Sequence, residues 1–264
     1  IVGILNLTPD SFSDGGKHNT LSAALRHAEA LLAAGATILD VGGESTRPGA
    51  RPVPEAEELS RVIPIIAALT RQWPTSVQSV DTTKASVAGA ALDAGAAIVN
   101  DVSALRLDPA MASLCAERNA GVVLMHSRGG AGDLASLEQA HYPEGVLPAV
   151  IAELSAAADG AATAGIQASR LVADPGLGFG KSPAHSVEML RGLRTLRSLG
   201  VPLMVGPSRK SFLGALTGRA TEDRDVATAA ACVVAWREGA RLFRVHNPAV
   251  VKDALDVAAA IHPA

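Results

Sequence analysis

The feature of this sequence that most constrains its fold is an eightfold alternation of short apolar runs with longer segments of helical period. The short runs are almost continuously apolar, which is typical of parallel strands covered on both faces. They span residues 1–5, 37–41, 76–80, 97–101, 122–126, 171–174, 203–206 and 242–246. Eight β/α repeats can close into a barrel or lie open as a doubly wound sheet, and their number favours closure. We therefore predict an α/β fold, a TIM (β/α)8 barrel.

The segments between the predicted strands carry apolar residues at helical spacing and end at glycines. Two such stripes are Leu21, Leu25, Ala28 and Leu32, and Val250, Ala254, Val257 and Ile261. Gly-Ala pairs at 35–36, 95–96 and 239–240 precede strands and predict helix ends followed by tight turns. No change of composition or long linker divides the chain, so we predict one domain over residues 1–264.

Composition and charge argue against several classes of partner. With 264 residues, 48% of them hydrophobic, the chain can bury one large core. Its net charge of −3, without a Lys/Arg-rich run, argues against nucleic acid, and no uninterrupted apolar run is long enough to cross a membrane. Cys115 and Cys232 lie among Ala, Leu and Val, as buried thiols in a reducing compartment do. We expect an intracellular protein, cytoplasmic by default, with a mitochondrial location as the alternative.

Polar side chains stand at the carboxyl ends of nearly all the predicted strands. A single Asp there is usually a helix cap or a turn residue. Many of them around one barrel mouth would be desolvated without partners unless a polar ligand met them. The set comprises Asn6, Glu44, Ser45, Thr46, Arg47, Asp81, Asn100, Asp101, His126, Asp174, Ser208, Arg209, Lys210, Arg244 and His246. The sequence therefore predicts a polar binding site at the mouth.

Eight motifs follow one another along the chain. They are GILNLTPDSFSDGG at 3–16, DVGGESTRPG at 40–49, SVDT at 79–82, NDVS at 100–103, LMH at 124–126, DPGLGFGK at 174–181, SRKSF at 208–212 and RVH at 244–246. Their order and content resemble the dihydropteroate synthase family over essentially the whole chain. The resemblance implies the barrel fold and the joining of a pterin diphosphate to p-aminobenzoate with release of pyrophosphate. It also implies an SN1-like reaction, in which the bond to pyrophosphate breaks before the arylamine attacks the cationic pterin methylene.

By this resemblance, eight residues bind the pterin. Asp174 has the clearest physical reason, because a carboxylate can accept two parallel hydrogen bonds from the donor edge of an aminopyrimidinone ring. Asn100 and Lys210 can complement the remaining edge. The implied set is Asp81, Asn100, Met125, Asp174, Phe179, Gly206, Lys210 and Arg244.

The resemblance also implies a diphosphate site that shares Mg²⁺ with the substrate. Mg²⁺ prefers oxygen ligands and keeps several waters, so a rich protein cage is not expected. Asn6 would offer its amide oxygen to the metal. His246 stands two residues after Arg244 and therefore faces the same side of the strand. The implied diphosphate set is Asn6, Thr46, Arg47, Arg244 and His246.

The first two βα loops, residues 8–16 and 44–50, are expected to close over p-aminobenzoate as mobile lids, with Asp14 meeting Arg47. The implied p-aminobenzoate pocket comprises Phe12, Thr46, Pro48, Phe179, Lys210 and Ser211. The residues implied in the reaction itself are Asp14, Arg47, Asp81, Asp174, Lys210, Arg244 and His246. Sulfonamides present the same aniline opposite an anionic group, so we expect them to compete in this pocket.

Two places depart from the family pattern. Asn247 follows Arg-Val-His where the family usually has Asp, and residues 127–132 read SRGGAG. These departures change the residue beside His246 and the sequence of the fifth loop. Pro207 and the Ser-Arg-Gly at 127–129 are more similar to fungal members, in which the synthase is often one domain of a multifunctional folate-synthesis protein. We also expect a homodimer.

Two alternative functions stay open on the sequence. A pterin-dependent methyltransferase barrel shares the pterin end of such a site but has no need of the Ser-Thr-Arg-Pro, Ser-Arg-Lys-Ser and Arg-Val-His motifs together. A catalytically silent paralogue would bind pterins or partners without turnover. Detectable synthesis from pterin diphosphate, p-aminobenzoate and Mg²⁺ discriminates against both.

Overall fold

The computed structural model describes residues 1–7, 17–45 and 52–262, with residues 17–20 described by their backbone alone. Eight parallel strands form a closed barrel in chain order, and the last strand pairs with the first. The strands are β1 (Val2–Asn6), β2 (Ile38–Gly42), β3 (Val77–Asp81), β4 (Ile98–Asp101), β5 (Gly121–Met125), β6 (Leu171–Asp174), β7 (Leu203–Val205) and β8 (Ala240–Val245). Closure confirms the predicted barrel and excludes the open sheet.

Helices lie between successive strands and cover the outside of the barrel. They are α1 (Lys17–Ala33), α2 (Glu55–Gln72), α3 (Ala85–Asp93), α4 (Met111–Glu117), α5 (Val146–Thr163), α6 (Pro183–Arg191), α7 (Ser211–Thr217), α8 (Asp225–Arg237) and α9 (Pro248–Ile261). Two of them, α7 and α8, lie between β7 and β8. The start of α6 follows from local chemistry: Ser182 accepts a hydrogen bond from the His185 N–H, and Pro183 needs no such acceptor.

Inward-facing strand residues form two layers inside the barrel. The lower layer is apolar and comprises Val2, Ile38, Ile98, Val123, Val172, Met204 and Leu242. Because side chains alternate along a strand, the residue two positions further also points inward, one layer nearer the carboxyl end. On four strands that residue is polar, namely Asp40, Asn100, Asp174 and Arg244. The strand period thus brings polar groups to the mouth above an apolar floor.

The outward faces of the strands pack against the helices in one large core. Val41 and Val80 on the strands and Ile66 and Leu69 on α2 are fully buried there. Each such side chain stabilises the fold by about 1.5–3 kcal/mol relative to exposure. The two cysteines are buried free thiols in this core, as predicted.

The predicted helix ends and the predicted stripe on α1 are confirmed, whereas the predicted face of α9 is rotated. Gly35 and Gly95 have φ of 95° and 108°, a region that favours glycine, directly after α1 and α3. On α9, however, Val257 and Ile261 of the predicted stripe are exposed, and Val251 and Ala258 face the core. The period identified the helix, but a helix with apolar residues on more than one side does not define its buried face.

The helix α5 has the length and hydropathy of a membrane-spanning segment. It packs on the barrel through Val150 and Leu154, while Glu153 contacts His126 and Arg128. One such helix is weak evidence for a span, because helices of globular proteins pass the same test. The expectation that the protein has no membrane partner therefore stays a prediction.

Candidate active site

At the barrel mouth, Arg244 of β8 is clamped between two carboxylates. Its Nε donates to Asp40 Oδ2 at 2.6 Å, and its Nη2 donates to Asp81 Oδ2 at 2.7 Å. Asn100 Nδ2 donates to the same Asp40 oxygen at 2.9 Å. Charge-assisted bonds of this kind are strong and directional. The clamp therefore fixes the guanidinium before any substrate arrives, although 20% of the Arg244 side chain stays exposed toward the mouth.

Asp174 lies at the end of β6 on the other side of the mouth and is nearly fully buried. Its Oδ1 accepts a hydrogen bond from the Gly176 N–H at 2.7 Å. Among the described residues this is the only hydrogen bond that the Asp174 carboxylate accepts. Acceptor positions on this carboxylate therefore remain for a ligand with paired N–H donors.

Lys210 and Phe179 form a second contact beside Asp174. The Lys210 ammonium lies over the Phe179 ring, 4.1 Å from its centroid. Such a contact stabilises a cation by about 0.5–2 kcal/mol, depending on its exposure. Phe179 packs with Met125, the residue opposite Asp174 in the strand register. The Phe179 and Met125 side chains thus form an apolar surface beside the charged groups of Asp174 and Lys210.

Burial shifts the pKa values of the ionisable groups at the mouth. It raises the pKa of Asp81 to about 7, against the charge of Arg244, which lowers it. Burial also raises the pKa of Asp174 to about 6, while the Gly176 N–H and the positive charges of Lys210 and Arg244 oppose that rise. The pKa of Lys210 is lowered to about 8 by burial and by Arg244. Strongly shifted groups gathered in one cleft are typical of functional sites.

His246 directly follows β8 and is tied to the loop after β7. Its Nδ1 lies 2.9 Å from Ser208 Oγ, and its backbone N–H donates to the same oxygen at 3.1 Å. The neighbouring Asn247, which departs from the family pattern, donates through Nδ2 to Asp225 at 2.9 Å. Asp225 also accepts two hydrogen bonds from Arg209. Asn247 thus joins α8 to the end of β8.

Asn6 and Asp81 present two oxygens on either side of Gly42. A Cβ at Gly42 would lie 3.7 Å from both Asn6 Oδ1 and Asp81 Oδ2. The absence of a side chain at this position leaves room between an amide oxygen and a carboxylate oxygen. Asp81 Oδ2 already accepts from Arg244, so Asn6 Oδ1 is the oxygen of the two that fits Mg²⁺ shared with a substrate phosphate, because Mg²⁺ prefers oxygen and needs few protein ligands. Within the described ranges no cluster of three or more His, Cys, Asp or Glu residues could hold a metal by itself.

A cluster of Lys84, Glu44 and Glu58 links the start of the loop after β2 to the loop after β3. Lys84 Nζ lies 2.5 Å from carboxylate oxygens of both Glu44 and Glu58, and Glu44 also accepts from the Val53 N–H at 3.3 Å. Glu58 is fully buried, and its other oxygen has no hydrogen-bond partner within the described part of the chain. The cluster fixes Glu44 and Val53, on either side of residues 46–51, relative to β3.

The structure brings together most of the site residues predicted within the described ranges. Asp81, Asn100, Asp174, Lys210 and Arg244 share one mouth with Asn6, Met125, Phe179 and His246. Gly206 directly follows β7 beside Arg244, and Ser211 is exposed at the start of α7. The predicted residues Phe12, Asp14, Thr46, Arg47 and Pro48 lie outside the described residues.

Asp40 is a site residue that sequence reasoning did not assign. It lies within the DVGGESTRPG motif, but the predicted site takes only the residues that follow the strand. The signal was present, because Asp40 stands at the inward-facing position between Ile38 and Gly42, and an acid there requires a partner. Which cation it meets depends on the closure of β8 onto β1, more than 200 residues away in sequence.

Comparisons with known proteins agree with this geometry. Residues 2–246 match the family described as pterin binding enzyme. The dihydropteroate synthase of Mycobacterium leprae is 45% identical over 98% of this chain and 92% of its own. The structure of the Xanthomonas albilineans dihydropteroate synthase with 4-aminobenzoic acid has a TM-score of 0.92 and 46% identity, covering 100% of this chain and 93% of its own. A sulfonamide complex of the Yersinia pestis enzyme has a TM-score of 0.91 and 40% identity over 100% and 94% of the two chains. The chain therefore belongs to the dihydropteroate synthase family of pterin-binding enzymes.

Proposed function

We propose that this protein is a dihydropteroate synthase that condenses 7,8-dihydropterin-6-ylmethyl diphosphate with p-aminobenzoate to 7,8-dihydropteroate and pyrophosphate. The observation that carries the proposal is the arrangement at the mouth, where a buried carboxylate lies opposite a clamped guanidinium. Asp174 suits the donor edge of a pterin, and Arg244 suits an anionic leaving group. One substrate that carries both a pterin and a diphosphate matches both groups.

The pterin is held by hydrogen bonds that favour its cationic form. Asp174 accepts from the ring N–H donors, and Asn100 and Lys210 meet the rest of the ring edge. Negative charge from Asp174 and Asp81 lowers the free energy of the positive pterin methylene that forms as the C–O bond breaks. Phe179 packs against the ring system on one side, and Met125 extends that apolar wall.

The leaving pyrophosphate is received by Arg244 on β8 and by His246 directly after it. Arg244 is already oriented by Asp40 and Asp81, so it contributes charge without reorganisation as the bond breaks. His246, aligned by Ser208, lies two residues further along the same face. Asn6 is the residue proposed to hold Mg²⁺. When bound, the metal neutralises negative charge on the diphosphate oxygens.

The p-aminobenzoate pocket is proposed at Phe179, Lys210 and Ser211, together with the predicted residues Phe12, Thr46 and Pro48. The Lys210 ammonium over the Phe179 ring gives an aromatic acid both a flat apolar surface and a cation. The neutral aniline nitrogen is itself nucleophilic, so no strong general base is required. Asp14 and Arg47 are proposed to close the two loops over this pocket and to exclude water, which would otherwise capture the cation.

The test is a synthase assay with the purified chain, pterin diphosphate and p-aminobenzoate, with and without Mg²⁺. We expect formation of dihydropteroate and pyrophosphate in equal amounts and loss of turnover when the metal is chelated. An Asn6→Ala variant should need more Mg²⁺ for half-maximal turnover while retaining pterin binding in calorimetry. Pterin binding with no turnover under any metal condition would instead support a silent paralogue.

A methyltransferase barrel is the second candidate that the same experiment addresses. Binding of methyltetrahydrofolate that pyrophosphate does not affect would favour it. Sulfonamides are expected to compete with p-aminobenzoate here. Calorimetry with pterin and pyrophosphate present should detect their binding, and its absence would contradict the pocket assignment.

We also propose that the protein forms a homodimer through α8. Val226, Ala230 and Val234 are exposed at i, i+4 and i+8, and Leu216 on α7 is exposed nearby in sequence. An apolar stripe of this kind on a helix surface is typical of a protein interface. Light scattering should give twice the chain mass, and Val234→Glu should give the monomer. A dimer that survives this change would place the interface elsewhere.

Membership of a multifunctional folate-synthesis protein and an intracellular location stay predictions. The buried free thiols of Cys115 and Cys232, whose pKa burial raises to about 12, support a reducing compartment. The intact mass of the native polypeptide would decide whether further domains accompany this one.

A further inference from the structure

A buried lysine with no part in the proposed site lies behind Asp174. Lys181 ends the turn that follows β6, and it is 2% exposed. Its ammonium contacts His126 Nδ1 at 2.7 Å, the Phe179 carbonyl at 3.0 Å and the His126 carbonyl at 3.4 Å. An ammonium has three donors and no acceptor. All three contacts therefore fit the charged form of Lys181.

His126 connects this lysine to a carboxylate on the outside of the barrel. Its Nε2 lies 3.0 Å from Glu153 Oε2 on α5, and Glu153 also pairs with Arg128. An ionised carboxylate can only accept, so the Nε2 atom carries the proton and Nδ1 is free to accept from Lys181. The result is a continuous chain from cation through imidazole to anion.

The turn between Asp174 and Lys181 packs closely on this chain. The His126 N–H donates to the Asp174 carbonyl at 2.9 Å, and the Gly176 N–H donates to the Asp174 carboxylate at 2.7 Å. A Cβ at Gly176 would lie 1.9 Å from the His126 carbonyl oxygen and 3.5 Å from the Lys181 nitrogen. Only glycine fits there, and the ammonium lies directly beneath the turn that binds the carboxylate.

We propose that Lys181, held by His126 and Glu153, is a positioning residue that fixes the 174–181 turn and supplies buried positive charge to the Asp174 carboxylate. The inference rests on the proposed role of Asp174 in pterin binding. Through the Phe179 carbonyl the same ammonium also fixes the residue whose ring faces Lys210. The chain of contacts thus supports both the charged and the apolar wall of the pterin site.

The charges that surround Lys181, His126 and Glu153 agree with this role. The cations that face Asp174 are Lys210, Arg244 and Lys181, and each lowers its pKa. Burial lowers the pKa of Lys181 to about 7, while Asp174 and Glu153 oppose that fall and Arg128 and Lys210 add to it.

Glu153 and His126 are in the charge states that this arrangement requires. The hydrogen bond from His126 is the largest cause that lowers the pKa of Glu153 to about 2, so Glu153 is ionised at neutral pH. Burial lowers the pKa of His126, with Lys181 and Arg128 acting in the same direction and Glu153 opposing. Neutral His126 therefore transmits a contact between two charged groups.

The pH profile of kcat/KM for pterin diphosphate tests the proposal, with Lys181→Met compared with the unaltered enzyme. Removal of the cation raises the pKa of Asp174, so the acid limb should move to higher pH by about one unit. Activity should then be lost most at low pH and recover toward high pH. The substrate titrates identically with every variant, so a shift between variants reports the protein.

Two further variants separate charge from packing. Glu153→Gln leaves Lys181 packed but lowers its pKa, so the acid limb should shift in the same direction by a smaller amount. Leu154→Ala removes a buried apolar side chain from the same helix without altering charge. It should lower the melting temperature and leave the acid limb in place.

A uniform loss of kcat/KM at every pH in Lys181→Met, with an unmoved acid limb, would overturn the inference and leave the proposed function standing. If Lys181→Met does not fold, an unmoved limb in Glu153→Gln overturns the inference instead. Absence of pterin binding and turnover in the unaltered enzyme would overturn the proposed function itself, and the inference with it.

Discussion

The two sides of the barrel mouth balance their buried charges in opposite ways. On the side of β2, β3 and β8, the single cation Arg244 is bonded directly to two carboxylates at 2.6 and 2.7 Å. On the side of β6 and β7, the single carboxylate Asp174 faces Lys181 and Lys210, with no ion pair to either among the described residues. The cation of the first side is bonded to carboxylates of the protein itself, whereas the carboxylate of the second side keeps acceptor positions for a ligand.

Because of this difference, one side of the site can stabilise the fold while the other side binds a ligand. Burial of a charge without a partner costs free energy. Removal of one member of a buried ion pair destabilises a protein more than replacement of the whole pair by apolar residues. The Arg244 side pairs its cation within the protein and therefore contributes to the folded state, although Asp40 Oδ1 and Asn100 Oδ1 are buried without a hydrogen-bond partner among the described residues. The Asp174 side has fewer partners within the protein, and we expect the substrate to supply the missing donors. Substitutions on the two sides should accordingly affect different measurements.

The largest effect is expected for Asp174→Asn, which keeps the size of the side chain and replaces one acceptor oxygen with a donor. One charge-assisted hydrogen bond of about 1.5–3 kcal/mol is lost and the other loses its charge, which together should lower kcat/KM for pterin diphosphate by roughly 10²–10⁴-fold. The melting temperature should change little. A variant that retains pterin affinity in calorimetry would remove Asp174 from the pterin site.

Arg244→Met should affect stability as well as activity. It leaves Asp40 and Asp81 buried without their cation, which should destabilise the fold by about 3 kcal/mol. Denaturant unfolding measures this loss. The double variant Asp40→Asn with Arg244→Met should recover part of it, because one uncompensated charge is removed. Strictly additive effects in this cycle would mean that the pair contributes no coupling energy.

Lys210→Met should sharpen the contrast between the two sides. Burial and Arg244 lower the pKa of Lys210, so the folded state gains little from its charge. We expect a melting temperature equal to or above that of the unaltered protein, with a marked loss of p-aminobenzoate and pterin affinity. A loss of stability comparable to that of Arg244→Met would contradict the proposed difference between the two sides.

The smallest effect is expected for Asn247→Asp, which restores the residue usual in the family. Here it replaces the donor to Asp225 with a second carboxylate, partly balanced by Arg209. Loss of one hydrogen bond at about 1 kcal/mol should lower the melting temperature by roughly 2–4 °C. Calorimetric scans of the two proteins would measure it, and an unchanged melting temperature would show that Arg209 compensates fully.

Much of the site could be predicted because the strand period and the motifs are local. Asp81, Asn100, Asp174 and Arg244 were identified at the ends of their strands, and closure of the barrel placed them together as expected. The partners of these residues were not predictable. Asp40 meets Arg244 near the closure of β8 onto β1, and Lys181 meets Glu153 through His126, which directly follows β5.

The eight β/α repeats, the family and the positions at which polar residues end the strands all follow from the sequence. These depend on periodicity and on residues that are neighbours along the chain, which a single sequence displays directly. Tertiary structure alone decided which face of α9 is buried, which carboxylate holds which cation, and how far burial shifts each pKa. The physical reason is that burial and Coulomb interactions depend on distances between residues far apart in sequence, and only the folded barrel sets those distances.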